Sequence, residues 1–226
     1  MSNNLVHLGL LVAAFTLALV AEATWPLRQA TQPKSIRVLR NLAVAGISAI
    51  FVRFAFLPIE LSVATFVTEK NFGLLNQIDL NPIFKILVSL VILDFTFYYW
   101  HLMNHLSPFL WRFHNSHHID LDLDVSTATR FHFGELAFSS IFRSFQILFL
   151  GIDIPTLLIF ETCITLFALF HHSNVRLPIR FEELLGRVFI TPRLHGIHHS
   201  IVRSETDSNY GTVFSIWDRL HHSFRF

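Results

Sequence analysis

The sequence predicts an all-α membrane protein of about three transmembrane helices plus a helical hairpin, with a histidine-rich helical cap at one end. Three observations predict it. Hydrophobic residues make up 52% of the 226 and charged residues only 15%, far more apolar than a water-soluble domain. Apolar runs recur at lengths near the roughly 20 residues that a helix needs to cross a bilayer. Histidine is in excess, with 14 residues, and most of them fall in tight clusters.

Taken in order, Leu5 to Val20, Leu42 to Val67 and Ile83 to Trp100 each read as one span. Ala21, Glu22 and Ala23 resemble a signal cleavage site, which is an alternative reading of the first run, although no Lys or Arg precedes it. Leu136 to Leu150 and Ile154 to Phe170, joined by Gly151, Ile152 and Asp153, read as a helical hairpin that dips in and returns. Arg143 interrupts its first arm, which is therefore expected to lie partly against protein rather than lipid. This threading puts residues 23–40, 101–133 and 171–226 on one face. That face carries 13 of the 17 Lys and Arg residues and is expected to be cytoplasmic. No repeat, low-complexity tract or flexible linker divides the chain. Residues 1–81 read as N-terminal membrane helices and 82–226 as the region that carries the chemistry, in one structural unit.

A formal net charge of +1, with basic residues scattered rather than clustered, argues against a nucleic-acid partner. The single cysteine, Cys163, excludes an internal disulfide and a Cys-x-x-Cys site, and reads as a small buried hydrophobe.

The histidines carry the chemical signal. His101 and His105 stand i, i+4 at the end of the third run, where they share one helix face with Asp94 and Tyr98. Two imidazoles so placed can grip one ion, and a carboxylate and a phenol on the same stripe could orient them through hydrogen bonds. His114, His117 and His118 form H-x-x-H-H, and His195, His198 and His199 form it again. At this histidine frequency one such match arises only about 0.05 times by chance. The hairpin returns the chain to the face it left, so the two distant clusters can meet. Eight imidazoles exceed the needs of one ion and suit two.

Other histidines are less sharply assigned. His172, or its neighbour His171, could add a ninth ligand at the hairpin's exit. His132 reads equally well as a ligand or as a group beside the ligands or substrate, and Glu135, three residues on, as a carboxylate that could orient a ligand. His7 reads as an interfacial side chain, and His221 and His222 as solvated.

Together these motifs resemble the fatty acid hydroxylase and sterol desaturase superfamily of integral membrane di-iron oxygenases. The likeness covers roughly residues 90 to 222. Its H-x-x-x-H, H-x-x-H-H and later H-x-x-H-H are matched by His101 and His105, by His114, His117 and His118, and by His195, His198 and His199. Softer matches include Trp111, His172 to Asn174, Thr191 and Pro192, Asn209 to Gly211, and Trp217 with Asp218. The chain departs from the family at Leu102, where Arg is frequent, and at His221 to Ser223 after Leu220. The resemblance implies ligand roles for the eight histidines, with Asn174, Asn209 and Tyr210 among the residues around them. It implies two iron ions as cofactors, with zinc as the ion a purified form could carry instead. It also implies a lipid substrate such as a sterol, fatty acyl chain, ether lipid or carotenoid. Dioxygen would hydroxylate or desaturate that lipid, with electrons from a separate reductase, since no fused haem, flavin or iron-sulfur motif appears. Two other classes stay open: a membrane zinc hydrolase, which lacks an H-E-x-x-H signature here, and a non-enzymatic metal transporter or sensor, which should carry its ligands within the spans.

Overall fold

Prolines set behind capping side chains fix where three of the helices, over 82–106, 108–118 and 154–172, begin. The computed structural model describes residues 2–226, with side chains from Leu8 onward, so the role expected of His7 falls outside the described side chains. Helix α1 runs over Ser2–Thr24, α2 over Lys34–Ala55 and α3 over Leu57–Glu69. Helix α4, Pro82–Leu106, starts where Asn81 caps the amide of Ile83, and α5, Pro108–His118, where Ser107 caps that of Leu110. In both, Pro occupies the first turn, where its missing N–H leaves nothing unpaired. Helix α6 covers Phe133–Leu150 and α7 Ile154–His172, the latter capped by Asp153. Four short helices follow: α8, Ile179–Leu185; α9, Pro192–His198; α10, Arg203–Thr206; and α11, Ile216–Leu220. No strand occurs among the described residues, where only isolated bridges pair Pro26 with Val175 and Phe189 with Phe214.

Four of these helices, α2, α4, α6 and α7, are long and apolar enough to cross a membrane. Large apolar side chains such as Phe54, 78% exposed, and Phe149, 70% exposed, face outward from them, as lipid contact requires. One expectation needs correction. The run from Leu42 to Val67 is not a single span: its helix begins earlier, at Lys34, and breaks at Phe56. Pro58 is the cause, because its ring has no N–H to give and crowds the carbonyl four residues back. The amides of Ile59 and Glu60 restart the helix on the carbonyl of Phe56. Helix α3 then packs along α6.

Two polar clasps define the ends of the bundle. At one end Glu22, in the last turn of α1, accepts hydrogen bonds from the amides of Val125 and Asn174 and from Lys34 Nζ. These contacts make Ala21, Glu22 and Ala23 part of the folded unit. Close by, Arg37 of α2 is buried among Asp120, Asp122 and Asp124, and Asp122 accepts the amides of Thr31 and Gln32. The segments around residues 23–40, 118–133 and 171–176 therefore share one end, as the threading requires. At the other end the turn between α6 and α7 meets the loop after α3. Gly151 (φ +80°) and Gly73 (φ +100°) touch so closely that a Cβ on Gly73 would lie 2.3 Å from the Gly151 Cα. Between the ends, Ala64, Leu93, Ile147 and Phe160 from α3, α4, α6 and α7 form the buried apolar core.

Candidate metal centre

Four separate pieces of chain end at the first of these two poles, and each delivers histidines. Helix α4 brings His101 and His105 in its last two turns. Ser107 both terminates α4 and caps α5, and this sharp reversal folds His114, His117 and His118 back over them. Helix α7 ends on His171 and His172. The Thr191 cap and Pro192 start α9, whose single length of two turns presents His195 and His198, with His199 as the residue that ends it.

The rings form two groups. His101, His105, His114, His118 and His198 make one, and His117, His172, His195 and His199 the other; within each group a ligand nitrogen of every ring lies within 4.8 Å of the rest. The groups adjoin, with the His118 ring stacked on His199 at 4.3 Å. All nine rings are buried.

Hydrogen bonding fixes which nitrogen of several rings carries the proton. The Nδ1 atoms of His101, His117, His172 and His198 each face a backbone carbonyl, those of Tyr210, Arg130, Ala168 and Ser208, at 2.7–3.3 Å. A carbonyl only accepts, so each Nδ1 must donate, and each Nε2 of the neutral ring is left with a bare lone pair. Yet His101 Nε2 lies 3.0 Å from His198 Nε2, and His117 Nε2 lies 3.0 Å from His172 Nε2. Two lone pairs at that distance repel unless a cation sits between them. Protonation is a poor source of that cation: burial, reinforced by neighbouring rings, holds His117, His118, His195 and His199 well below the ordinary imidazole range, and burial pushes His198 down to about 3. Metal ions fit instead. Nitrogens about 2.1 Å from a common ion are separated by about 3.0 Å at a right angle, the spacing found here. His105 Nε2 and both nitrogens of His199 are buried with no hydrogen-bond partner, which leaves each of these rings a nitrogen free for an ion.

Sequence comparison agrees with the geometry. The fatty acid hydroxylase family profile matches residues 86–223, more than half of the chain. The chain belongs to the fatty acid hydroxylase family. Among its relatives it is 36% identical over 141 residues to the ornithine lipid hydroxylase OlsE of Rhizobium tropici, covering 62% of this chain and 42% of that one. It is 32% identical over 132 residues to human alkylglycerol monooxygenase, covering 58% and 28%, and 26% identical over 146 residues to human cholesterol 25-hydroxylase, covering 62% and 51%. The chain thus spans about half or less of the length of each of these relatives. No solved structure matches it.

Around the family's histidines, the remaining residues singled out from sequence fall into distinct places. Glu135 touches a ring directly, its Oε1 accepting from His114 Nδ1 at 2.8 Å. Tyr210 does so through its carbonyl, and its ring faces His101, His105 and His198. His171 stays outside both groups and bonds through Nδ1 to the carbonyl of Thr212. Asp94 meets no histidine; it accepts from the amides of Val213 and Phe214 and from Trp217 Nε1, and so fastens the segment that supplies the Tyr210 and Thr212 carbonyls. Asn209 ties that segment to the carbonyls of Leu194 and Arg225, and Asn174 exchanges hydrogen bonds with the backbone of Arg28. Tyr98 bonds Ser223 rather than a ligand. His132 caps α6, accepting the amide of Gly134, and joins neither group. His221 corrects the expectation of a solvated pair: its ring stacks on Tyr98 at 4.9 Å and its nitrogens bond Tyr99 and the carbonyl of Trp217, while His222 is exposed. Cys163 is half-buried on α7. Sequence reading missed Asp207, whose carboxylate lies 3.8 Å from His105 Nδ1.

A cavity of about 320 Å³ reaches the rings from within the bundle of α4, α6 and α7. His101, His114, His117, His172 and His195 line its head, and Phe97, Trp100, Phe131 and Leu169 its walls. On the other side of the rings a second cavity, about 700 Å³, runs between His105, His118, Trp111 and the polar residues Asn115, Ser200 and Asp207.

Proposed function

We propose that this chain is a membrane di-iron oxygenase that hydroxylates a lipid, using dioxygen and electrons from a separate reductase. The observation that carries the reading is the pairing of lone-pair nitrogens from distant segments at the head of a largely apolar cavity set among membrane helices. Such an arrangement suits a lipid that enters sideways from the bilayer and places one carbon beneath the histidines. The names of the relatives, an ornithine lipid hydroxylase, an alkylglycerol monooxygenase and a cholesterol 25-hydroxylase, favour hydroxylation over desaturation.

His101, His105, His114, His118 and His198 would hold one ion, and His117, His172, His195 and His199 the other. Bound iron would supply the redox chemistry with dioxygen that an unactivated C–H bond requires, because side-chain acid-base chemistry cannot break it. The chain's own part is positional. The carbonyls of Tyr210, Arg130, Ala168 and Ser208 hold the Nδ1 protons and so keep Nε2 free and aimed inward. Glu135 does the same for His114 and adds the one carboxylate in direct contact with the rings at the cavity head. Phe97, Trp100 and Phe131 exclude water from the place where the lipid chain would lie. The concentration of Lys and Arg in the segments at the histidine end supports a cytoplasmic orientation, where a soluble reductase could reach the second cavity.

The test compares membranes that contain the protein with membranes that contain His117→Ala. Oxygen uptake should require both lipid and reductant, and mass spectrometry should find lipids that have gained one oxygen in the first sample and not the second. Loss of two hydrogens instead would assign desaturation. Lipid cleavage without oxygen uptake would contradict the reading and favour a hydrolase.

A further inference from the structure

The cavity beneath the histidines is not apolar throughout. Arg143 of α6 and Glu161 of α7 line it as well, inside the segments that read as membrane spans. Isolated charges there are unfavourable by several kcal/mol, so a charged pair in a span calls for an explanation. Arg143 is well satisfied: its Nε meets Glu161 Oε1 at 3.0 Å, its Nη1 meets Gln146 Oε1 at 3.0 Å, and its guanidinium lies over the rings of Phe160 and Phe97. Glu161 is not enclosed. Its side chain is 42% exposed against 6% for Arg143, so the carboxylate keeps acceptor capacity open to whatever fills the cavity. Glu60 of α3 lies within electrostatic reach of both and is a second acid against one base. The one base is already paired with Glu161, so a fatty acid carboxylate or phosphate finds no free cation here, whereas a neutral hydrogen-bond donor finds an acceptor.

Helix geometry sets the distance from this station to the histidines. Arg143 lies eight residues beyond Glu135 on α6, a rise of about 12 Å, and Glu135 touches His114. We propose that Glu161, held in place by Arg143, is a specificity-determining residue: it accepts a hydrogen bond from a hydroxyl or amide N–H of the lipid and so sets a carbon about 12–16 Å away beneath the histidines. This rests on the cavity being the lipid's site. A purely structural pair, clamping α6 to α7, would affect stability but not the choice of ligand.

Two synthetic probes separate these roles without any need for turnover. N-hexadecylacetamide carries an amide N–H, and its N-methyl counterpart has the same chain with no donor. Equilibrium binding of both, tritiated, to the detergent-purified full chain should show the N–H probe bound at least tenfold more tightly. One hydrogen bond to a charged acceptor is about 1.5–3 kcal/mol, and about 1.4 kcal/mol is tenfold. Glu161→Leu should bring the ratio to about one, whereas Glu161→Gln, which keeps an acceptor, should retain part of it. An unchanged metal content in each variant confirms that the site has folded. A ratio near one in the unaltered protein, or an unchanged ratio in Glu161→Leu, overturns the inference. Failure of the oxygenase reading would appear separately, as absent lipid-dependent oxygen uptake with the binding preference intact.

Discussion

Glu135 shows how a single side chain shapes this site. It is buried at the start of α6, one oxygen accepts from His114 Nδ1, and the other has no partner. A carboxylate behind a ligand raises the ligand's basicity, and its loss weakens metal binding by roughly 10- to 100-fold. Glu135→Gln keeps the shape and one acceptor but removes the charge. Competition against a chelator should show metal affinity lowered by about that factor, and affinity equal to that of the unaltered protein would contradict the role. The histidines themselves were legible in the sequence, because His195, His198 and His199 repeat the spacing of His114, His117 and His118. Of the groups that orient them, Glu135 and Tyr210 stood out in the sequence and the others did not. His101, His117, His172 and His198 are all oriented by main-chain carbonyls, which any residue offers, so the identities of Arg130, Ala168 and Ser208 carry no trace of the task. His171 and His172 were separable only by structure, since adjacent residues of one helix point in directions that sequence does not rank against a partner elsewhere.

Among the elements, the hairpin of α6 and α7 was readable from two apolar runs around a short turn, and the break between α2 and α3 was not. The apolar run through Phe56 is continuous in composition, and Pro58 could have kinked a single helix as readily as ended one. Here the break frees α3 to lie along α6 and to hand the chain to the loop at Gly73. The contact of that loop with Gly151 locks the hairpin's turn. Gly151→Ala should destabilise the protein by at least about 1 kcal/mol, because a left-handed conformation is unfavourable for alanine by roughly 1–2 kcal/mol. The new Cβ would in addition lie 2.6 Å from the Phe72 carbonyl oxygen. A lowered thermal midpoint in detergent is the expected result, and an unchanged midpoint would show that the turn is not under this constraint.

For the molecule as a whole, the decisive property is that α1, α4 and α7 end, and α2 begins, at one pole. Alternating spans predicted this, and the polar clasp there enforces it: Arg37 draws Asp120, Asp122 and Asp124 beneath the start of α2, while Glu22 joins α1 to Asn174. That clasp was invisible beforehand, because nothing in three aspartates spaced by two in a loop names the buried Arg37 that they meet. It matters because it holds the loop after α5 against the hairpin's exit, which lets His117 meet His172 and His101 meet His198. The most direct test is a metal count on the purified, fully active protein. Two ions per chain, falling when His199 or His105 is replaced by alanine, is the result that nine converging imidazoles predict; full activity with fewer than two ions per chain would contradict it.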